Sequence, residues 1–555
     1  MKANAKHASV TRRDLVKGAG VAAVGAAAIA PVAAKAAEAA GEDIVWENEA
    51  DLVVVGGGVA ALSCAVTAYV EELGTAVILE AAPEGFEGGN SRVCGQGALI
   101  PDTVEDGIAY LTYMCGDYDV DADQIEAWAV NIRENWDWLQ ENIGWEPVQM
   151  GASEYPEAPS NEAMKWYGHQ GIAKPNGHTW QLFRDLVDDY DIPYYLEARA
   201  IEFIKDSEGV VMGVRCEDGR CFKANKAVVM ACGGFEYNQT MMNMANTIGF
   251  SGIRGTGGWY NRGDGIKMVQ SIGAELWNMN NFSGNRIAVK IVDPNDEYKL
   301  AQAKFGLKED NHDYIIVGPD GERFCYEELL GQTRHGKTKI SGVWTHIQIP
   351  GESYAIFNEK SFGYDIFGQP GFAKRIELIT GAISTYQSNQ ELLDAGIIKK
   401  CETVAEVAEF TGISESALQY TLDEYNGYVE NQYDPDFHRG EASSDEGVKA
   451  FTTSVDGVQQ GNVQADIEAF DLVPVVAPYY VVRLYHGILN TQGGPRRSPK
   501  GEVLDTNRQP IPRVYAAGEF GAIYAYMYNL GGNFSEAMSS GRLAARSACA
   551  LEPRA

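Results

Sequence analysis

Short apolar runs alternate with glycine-rich turns and longer mixed segments near the start of the ordered pattern. Residues 51–55 form an apolar run that is typical of a parallel strand buried on both faces. Three glycines follow, and residues 59–73 carry enough apolar positions to predict a helix. A second apolar run at residues 76–79 predicts the next strand. The pattern therefore predicts a β–α–β unit.

The turn between the first predicted strand and helix has the composition of a dinucleotide cradle. Gly56 is expected to make the turn, and Gly58 is expected to let the main chain approach a pyrophosphate at the helix N-terminus. Ala60 and Ala61 belong to the first turn of this helix, and Ala61 replaces the third glycine of the pattern with a residue still small enough for close packing. Glu80 ends the second strand, where a carboxylate accepts hydrogen bonds from the adenosine ribose. We therefore expect an adenine dinucleotide as cofactor.

Farther along the chain, residues 311–321 predict a strand and turn, and residues 403–429 predict two amphipathic helices around Thr411 and Gly412. Residues 430–470 carry turn-forming and charged residues and are expected to form exposed loops. A last apolar strand is predicted at residues 514–517.

The N-terminal segment resembles a twin-arginine export signal. Arg12 and Arg13 precede an alanine- and glycine-rich stretch at residues 18–34, which is too short and too weakly apolar for a membrane span. Small residues up to Ala37 suit a signal peptidase, and the segment has no cysteine for a lipid anchor. We expect residues 1–37 to be a signal peptide recognised by the twin-arginine translocase. The protein is then exported to the periplasm or the extracytoplasmic cell surface, without a membrane anchor.

Charge narrows the range of partners. The 555-residue chain has a formal charge of −32, and loss of residues 1–37 removes six basic residues and one acidic residue, which gives −37. So acidic a body repels nucleic acid and anionic lipid. We expect a small-molecule substrate and no nucleic-acid partner.

Nine cysteines are scattered without a C-x-x-C or C-x-x-C-H pattern. The spacing predicts neither a haem nor a clustered iron–sulfur site, and no metal centre is expected. Cys216 and Cys221 flank a predicted hairpin turn, so these two residues are either a cross-strand disulfide or two free thiols. Reducing electrons would have to come from another protein, such as a cytochrome or an FMN carrier.

A second small-residue loop points to a flavin rather than a nicotinamide dinucleotide. Residues 88–97 resemble the loop that lies along the ribityl chain and isoalloxazine ring in FAD enzymes of the fumarate reductase and succinate dehydrogenase flavoprotein superfamily. The segments at residues 197–204, 228–235, 262–265, 321–327, 490–494, 515–519 and 529–533 resemble further motifs of that superfamily, in the same order. The resemblance implies non-covalent FAD. It assigns further cofactor contacts to Asn90, Ser91, Gly95, Gly97, Ala200, Ala231, Gly233, Asp264, Gly518, Glu519, Gly532 and Asn533.

The resemblance also implies an α/β fold. We expect a Rossmann-like FAD-binding domain of the glutathione-reductase type, with an inserted α+β capping domain. Residues 46–310 and 481–555 are assigned to the FAD-binding domain, and residues 311–480 are assigned to the cap. Chemistry is expected where the cap meets the flavin.

The sequence departs from fumarate-type enzymes where those enzymes bind dicarboxylates. Asn490 stands in place of a histidine, Asn529 replaces an arginine, and Phe362 aligns with the arginine that acts as the acid. We therefore do not expect fumarate or succinate as substrate. Arg334, His335 or Lys360 would compensate if the alignment of the cap is shifted.

Tyrosines occupy the segment before the last glycine pair. Tyr524, Tyr526 and Tyr528 alternate, and ketosteroid dehydrogenases of the superfamily place a tyrosine there that hydrogen-bonds a substrate carbonyl. A phenol can polarise a ketone and donate a proton, although each tyrosine alone also fits a core position. The other candidates for proton transfer could likewise have a purely structural role. The candidate catalytic residues are Tyr528, Tyr526, Arg334, Glu327 and His486.

Together these features predict an exported FAD-dependent oxidoreductase that reduces an activated C=C bond, an enoate or an enone, in a small aromatic or polycyclic molecule. The main alternative is the reverse reaction, desaturation of a ketosteroid-like substrate. A fumarate-type dicarboxylate reductase, an amine oxidase, a flavin electron carrier and an inactive binding paralogue are further alternatives.

Overall fold

The computed structural model falls into two units, residues 1–43 and residues 44–555. Only the second unit contains described residues. The predicted signal peptide at residues 1–37 and the candidate Arg334 both lie outside them. The structure describes residues 44–116, 119–155, 157–170, 178–245, 253–255, 257–284, 286–293, 296–304, 312–327, 335, 337–340, 343–346, 349–363, 388–444, 453–455, 458–460, 466–467, 469–524 and 526–554.

Strands and helices alternate in the first half of the described chain. The helices are α1 (Val59–Val70), α2 (Gly89–Val93), α3 (Val104–Cys115), α4 (Ala122–Ile143), α5 (His178–Asp189), α6 (Gln239–Ala245), α7 (Asp264–Gln270), α8 (Glu359–Phe362), α9 (Asn389–Asp394), α10 (Val404–Thr411), α11 (Glu415–Asn431) and α12 (Gly532–Cys549), with a 3₁₀ turn at Asn161–Ala163.

The strands follow the same chain order. They are β1 (Trp46–Val55), β2 (Ala76–Leu79), β3 (Ala98–Pro101), β4 (Pro147–Ala152), β5 (Met164–His169), β6 (Tyr194–Tyr195), β7 (Ala200–Lys205), β8 (Val211–Cys216), β9 (Cys221–Met230), β10 (Arg254–Gly255), β11 (Leu276–Trp277), β12 (Phe282–Ser283), β13 (Arg286–Asp293), β14 (Asp296–Lys304), β15 (Tyr314–Val317), β16 (Lys337–Ile340), β17 (Val343–His346), β18 (Glu352–Phe357), β19 (Ile398–Cys401), β20 (Ser443–Ser444), β21 (Thr453–Val455), β22 (Val458–Gln460), β23 (Asp466–Ile467), β24 (Tyr479–Ile488), β25 (Asn490–Thr491), β26 (Gly494–Pro495), β27 (Glu502–Leu504) and β28 (Pro510–Ala516).

The first sheet has the strand order β27-β28-β9-β1-β2-β6, and β7 and β8 extend it beside β9. Strand β1 pairs in parallel with both β2 and β9, and α1 connects β1 to β2. The β–α–β unit predicted from the apolar runs is confirmed. The predicted final strand is confirmed as well, since β28 pairs in parallel with β9. This arrangement confirms the α/β fold class.

The second sheet has the strand order β14-β13-β24-β18-β15, and β10 and β19 also pair with β24. Helices α10 and α11 pack beside it and confirm the two amphipathic helices predicted at residues 403–429. Thr403 caps α10 by accepting a hydrogen bond from the Glu406 backbone, and Gly412 ends the helix in the left-handed conformation. Strand β24 crosses the boundary predicted between residues 480 and 481. The division into FAD-binding and capping domains stays a prediction.

Helix α12 is buried along nearly its whole length and supports the tyrosine-rich segment that precedes it. Glu536, in its second turn, accepts hydrogen bonds from the backbone N–H groups of Ile523 at 2.9 Å and Tyr524 at 2.6 Å. The same carboxylate pairs with the guanidinium of Arg497, which is also buried. This ion pair therefore fixes the start of the tyrosine-rich segment to the helix.

All nine cysteines are free thiols, so Cys216 and Cys221 do not form the disulfide that was one of the two expectations. Cys221 Sγ donates a weak hydrogen bond to the Gly219 carbonyl in the hairpin between β8 and β9. Within the described ranges, no helix is both long enough and apolar enough to cross a bilayer.

Removing the charge of Glu536 tests whether its ion pair with Arg497 stabilises the tyrosine-rich segment and the helix. We expect Glu536→Gln to lower the free energy of unfolding by roughly 3–5 kcal/mol, because Arg497 would keep a buried charge without its partner. Chemical denaturation measures the loss. The control is Asp102→Asn, which breaks a solvent-exposed pair with Lys165. That change is expected to cost at most about 1 kcal/mol. Equal effects of the two substitutions would contradict the structural role of the buried pair.

Candidate functional site

The turn from β1 to α1 is built for close approach of a ligand. Gly56 has a φ of +117°, and a Cβ there would lie 2.3 Å from the Ala231 carbonyl oxygen. Gly58 caps α1 without a side-chain hydrogen bond. The first helical N–H, that of Val59, donates to Ser91 Oγ at 3.0 Å. The remaining N–H groups of the first turn have no partner within the helix, as at any helix N-terminus, and can face an anion.

Gly57 was given no role from the sequence, yet the structure leaves no room for a side chain there either. A Cβ at Gly57 would lie 2.1 Å from Tyr194 Oη and 2.3 Å from Glu80 Oε2. Glu80 is buried at the end of β2, and its carboxylate accepts hydrogen bonds from the backbone N–H groups of Ala82 at 2.9 Å and Gly88 at 3.3 Å. Burial raises the pKa of Glu80, and these two bonds oppose the shift. A buried acceptor at this strand end fits the ribose of a dinucleotide.

Asn90 lies at the centre of a second polar network. Its Nδ2 donates to Glu236 at 2.8 Å and to Glu519 at 3.1 Å, and its Oδ1 accepts from the Gly258 backbone at 2.8 Å. Glu236 also binds Asn261 at 2.7 Å. Burial, and next the charge of Glu236, raise the pKa of Glu519 to about 8. Asn90 and Glu519, which were both predicted to contact the cofactor, are thus hydrogen-bonded to each other although they are 429 positions apart in the sequence.

Other predicted cofactor residues lie around the same cradle. Gly518 has a φ of +73°, and a Cβ there would lie 2.9 Å from the Ala60 Cβ. Asp264 begins α7, and its carboxylate accepts hydrogen bonds from Arg199 Nε and Nη2, both at 2.8 Å. Asn533 accepts a hydrogen bond from Gln492 at 2.9 Å. The glycine cradle, the open helix N-terminus and the buried Glu80 fit FAD, and the individual contacts with FAD stay predictions.

The remaining residues predicted to contact FAD are small and pack closely against their neighbours. Ala61 is buried in α1, Ala200 begins β7, and Ala231 follows β9. A Cβ at Gly97 would overlap the Trp166 indole, and one at Gly532 would overlap the Tyr524 ring. Gly233 has a φ of +66°. Gly95 lies in the turn after α2.

Tyr528 is buried beside a pair of polar residues that the sequence did not reveal. The His335 ring meets the Tyr528 ring edge to face, with centroids 4.6 Å apart. His335 Nε2 lies 2.8 Å from Glu154 Oε2, and the Leu530 backbone N–H donates to the same oxygen at 2.7 Å. Sequence reasoning named His335 only as a substitute and did not name Glu154, since no motif marks the loop after β4.

The surroundings of the Tyr528 phenol disfavour loss of its proton. Burial raises the pKa of Tyr528, and the negative charge of Glu154 raises it further. Cys94 and Glu519, which belong to the predicted flavin-binding segments, act in the same direction, and a hydrogen bond from the Gly531 backbone opposes them. The phenol therefore stays protonated at any physiological pH.

Tyr526 lies in a different environment. Its hydroxyl donates to the Trp344 carbonyl at 2.8 Å, and Lys337 Nζ lies 4.9 Å from the ring centroid. Tyr524 is fully buried, and its hydroxyl accepts from the Asn529 backbone at 3.1 Å. The three tyrosines are thus held by different partners, and bends occur at Tyr524, Tyr526 and Met527.

Glu327 lies in the residues assigned to the cap, and its contacts are with other side chains than these tyrosines. Arg323 binds both of its carboxylate oxygens, at 2.8 and 3.0 Å, and Arg439 lies 3.6 Å away. Phe362, which aligns with the fumarate-type acid, stacks on Tyr480 with centroids 4.1 Å apart. These contacts are those of a packed cap core. The catalytic role assigned to Glu327 stays a prediction without a contact to the other candidates.

His486 is fully buried in β24, and burial lowers its pKa to about 3. It meets the Phe282 ring at an angle, with centroids 6.5 Å apart. Asn490 and Asn529 are engaged internally. Asn490 Nδ2 donates to the Thr491 carbonyl at 3.2 Å, and Asn529 Oδ1 accepts from Tyr110 at 2.9 Å and from the Glu154 backbone at 2.7 Å. The described residues include no cluster of histidine, cysteine and acidic side chains suited to a metal ion.

Comparison with known proteins places this geometry in context. The sequence profile of the family described as "FAD binding domain" matches residues 51–535. The digoxin reductase of Eggerthella lenta is 26% identical over 98% of this chain and 97% of its own length. The 3-oxosteroid 1-dehydrogenase of Mycolicibacterium smegmatis is 24% identical over 90% and 97%. The crystal structure of 3-ketosteroid delta1-dehydrogenase from Sterolibacterium denitrificans has a TM-score of 0.64 at 18% identity and covers 91% of this chain and 100% of that one.

A methyl group at Gly57 tests the cofactor cradle. We expect Gly57→Ala to abolish or strongly weaken FAD retention, because the new Cβ overlaps Glu80 and Tyr194. Flavin absorbance per protein after purification measures retention. The matched control is Gly427→Ala in α11, where a Cβ meets nothing within 4 Å. That variant is expected to keep its flavin and to gain up to about 1 kcal/mol in stability. Full flavin content in Gly57→Ala would refute the assignment.

Proposed function

The chain belongs to the FAD binding domain family, and on this basis we propose that it reduces a carbon–carbon double bond activated by a neighbouring carbonyl or carboxyl group. It is an FAD-dependent oxidoreductase, and its relatives include a reductase and a dehydrogenase. When bound, FAD supplies or accepts the hydride. The protein must then bind the substrate, polarise the activating group and supply a proton to the other carbon.

The observation that carries this proposal is the position of Tyr528. Its phenol is buried, its ring meets that of His335 edge to face, and the charge of the predicted cofactor residue Glu519 contributes to its raised pKa. The raised pKa keeps the proton on the phenol, so Tyr528 can donate a hydrogen bond to a carbonyl oxygen or a proton to a carbon. Loss of that proton would leave a buried phenolate next to Glu154, which is unfavourable. We propose that His335, which is held by Glu154 and meets the Tyr528 ring edge to face, returns the proton.

Two internal contacts argue against a dicarboxylate substrate. Asn490 and Asn529 stand where fumarate-type enzymes bind carboxylates, and both amides are used within the protein. Neither amide carries the positive charge that a bidentate carboxylate clamp needs. The enclosing tyrosines instead suit a flat, largely apolar molecule.

The reverse reaction is the second candidate. The 3-oxosteroid 1-dehydrogenase relative covers 90% of this chain, and the name of that enzyme describes desaturation. In oxidation the protonated Tyr528 can hydrogen-bond a substrate carbonyl, and another group must act as the base that takes the proton from carbon. The reduction potential of the electron-transfer partner decides whether reduction or desaturation is favoured.

We further propose that the protein is exported through the twin-arginine pathway and receives electrons from a separate cytochrome or FMN carrier. The Arg12-Arg13 pattern and the alanine-rich segment after it support export. The cysteine spacing, which lacks any C-x-x-C pair, supports an external donor.

Reoxidation of the reduced enzyme tests the activity. The FAD-loaded protein is reduced chemically without oxygen and mixed in turn with fumarate, urocanate, hydroxycinnamates and 3-ketosteroids. We expect rapid return of the oxidised flavin spectrum with a cinnamate or an enone, and no reaction with fumarate. Rapid oxidation by fumarate would show that a dicarboxylate clamp exists. If no compound reacts with the reduced enzyme but a 3-ketosteroid reduces the oxidised enzyme, desaturation is the function.

Tyr528→Phe tests the proton donor. We expect the rate of flavin reoxidation by the reactive compound to fall roughly 10²- to 10⁴-fold, because general acid catalysis contributes about that much. FAD content should not change. The control is Tyr428→Phe, which removes an exposed phenol bonded to Asp436 on the cap. Unchanged kinetics in Tyr528→Phe would exclude this phenol and leave Tyr526 as the rival.

A further inference from the structure

A second group of titratable side chains lies beside Tyr526, and the proposed reaction does not use it. The hairpin of β16 and β17 places Lys337 directly opposite His346. Lys337 is 1% exposed. Its Nζ donates one hydrogen bond, to the Phe282 carbonyl at 3.3 Å, and otherwise lies over the ring of Tyr526. An ammonium has three donors, so two of them lack an acceptor among the described residues.

His346 is also incompletely satisfied. Its ring stacks on Phe282, with centroids 3.8 Å apart and planes 11° apart, and meets the Tyr526 ring at a centroid distance of 6.1 Å. Both ring nitrogens are buried, and neither has a hydrogen-bond partner in the described part of the chain. Burial lowers the pKa of His346 well below its usual range, and the positive charges of Lys337 and His486 lower it further.

Lys337 and His346 form a basic cluster, and no described carboxylate pairs with either residue. Other buried cations in the described residues have carboxylate partners, as Arg323 has in Glu327 and Arg497 has in Glu536. Lys337 forms no ion pair with any described carboxylate, and burial alone lowers its pKa to about 7. A buried charge is costly unless it is paired, so a site that retains Lys337 and His346 together favours an anion brought from outside.

The cluster adjoins both halves of the candidate site. Phe282 pairs with Thr491 across β12 and β25, and the Thr491 hydroxyl donates to Glu236 at 3.1 Å in the network around Asn90. On the other side, Tyr526 is two residues from Tyr528. The cluster is therefore linked to the Asn90 network through Phe282 and Thr491, and to Tyr528 through the tyrosine-rich segment.

We propose that Lys337 and His346 bind a carboxylate of the substrate, so that the substrate is an enoate rather than a neutral enone. This inference rests on the proposed function and names its substrate class. The anion would accept hydrogen bonds from the Lys337 ammonium and from one His346 N–H. Binding then favours the charged forms of both groups, and the enzyme takes up protons when the anion binds at neutral pH. The other titratable groups facing Lys337 are Tyr526 and, through His346, the buried His486.

The test compares two ligands of the same shape. Cinnamate and cinnamamide are titrated into the oxidised, FAD-loaded enzyme at about pH 6, and the flavin absorbance reports binding. We expect cinnamate to bind roughly ten- to hundredfold more tightly, as a charge-assisted hydrogen bond implies. The preference should shrink as the pH rises above about 7, because Lys337 loses its proton.

Lys337→Met is expected to remove the preference for cinnamate, and His346→Phe, which keeps the stacked ring, is expected to reduce it severalfold. The matched control is Lys226→Met. Lys226 is a partly buried lysine that is also bonded only to backbone carbonyls, those of Cys549 at 2.8 Å and Leu73 at 3.4 Å. Lys226→Met is expected to leave the preference for cinnamate over cinnamamide unchanged.

Thermal unfolding separates a binding role from a packing role. The pKa of Lys337 is lower in the folded chain than in the unfolded one, so its charge costs stability below about pH 7, and the cost fades as the pH rises toward the usual lysine range. Lys337→Met should therefore raise the unfolding temperature at pH 6 and raise it less at pH 9.

Two binding results overturn the inference. One is equal binding of cinnamate and cinnamamide by the wild-type enzyme, and the other is no binding of cinnamate at millimolar concentration. Reoxidation of the reduced enzyme by neutral enones alone would refute the carboxylate-binding site and leave the proposed function intact. No reoxidation by any conjugated compound would instead refute the proposed function.

Discussion

One helix holds the two halves of the site in register. Helix α12 packs so closely on α1 that a Cβ at Gly541 would lie 2.3 Å from the Ala60 carbonyl. Its first turns bind the tyrosine-rich segment through Glu536. The cofactor cradle on α1 and the phenol of Tyr528 therefore share one rigid support. A close-packed interior transmits small displacements, so the distance between cradle and phenol depends on this helix contact.

Local signals were sufficient for the cradle. The apolar runs of β1 and β2, the glycines between them and Glu80 lie within about thirty residues, and each element dictates its own conformation. The final strand was also predictable, because a family resemblance supplied its place in the sheet. Gly57 was missed because its restriction comes from Tyr194, which is distant in sequence.

The substrate side was less predictable for a physical reason. Glu154 and His335 are 181 residues apart, and neither lies in a periodic element or a motif. Lys337 and His346 meet because a hairpin turns between them, and their lack of partners becomes visible only once burial is known. Glu327 shows the converse, since a conspicuous acidic residue in the sequence proved to be neutralised by Arg323. Long-range pairing decides which charged residues are structural and which are available.

The place of β28 in the first sheet sets a condition on how the chain is made. This strand lies between β27 and β9, yet it is formed by residues 510–516 of a 555-residue chain. During synthesis, β1, β2 and β9 emerge from the ribosome long before the strand and the helix that complete their sheet. Until then, β8 covers one part of the β9 edge, and the part at residues 228–230 is exposed to pairing with other chains. The first sheet and its support by α12 are therefore completed only after residues 510–549 have been made.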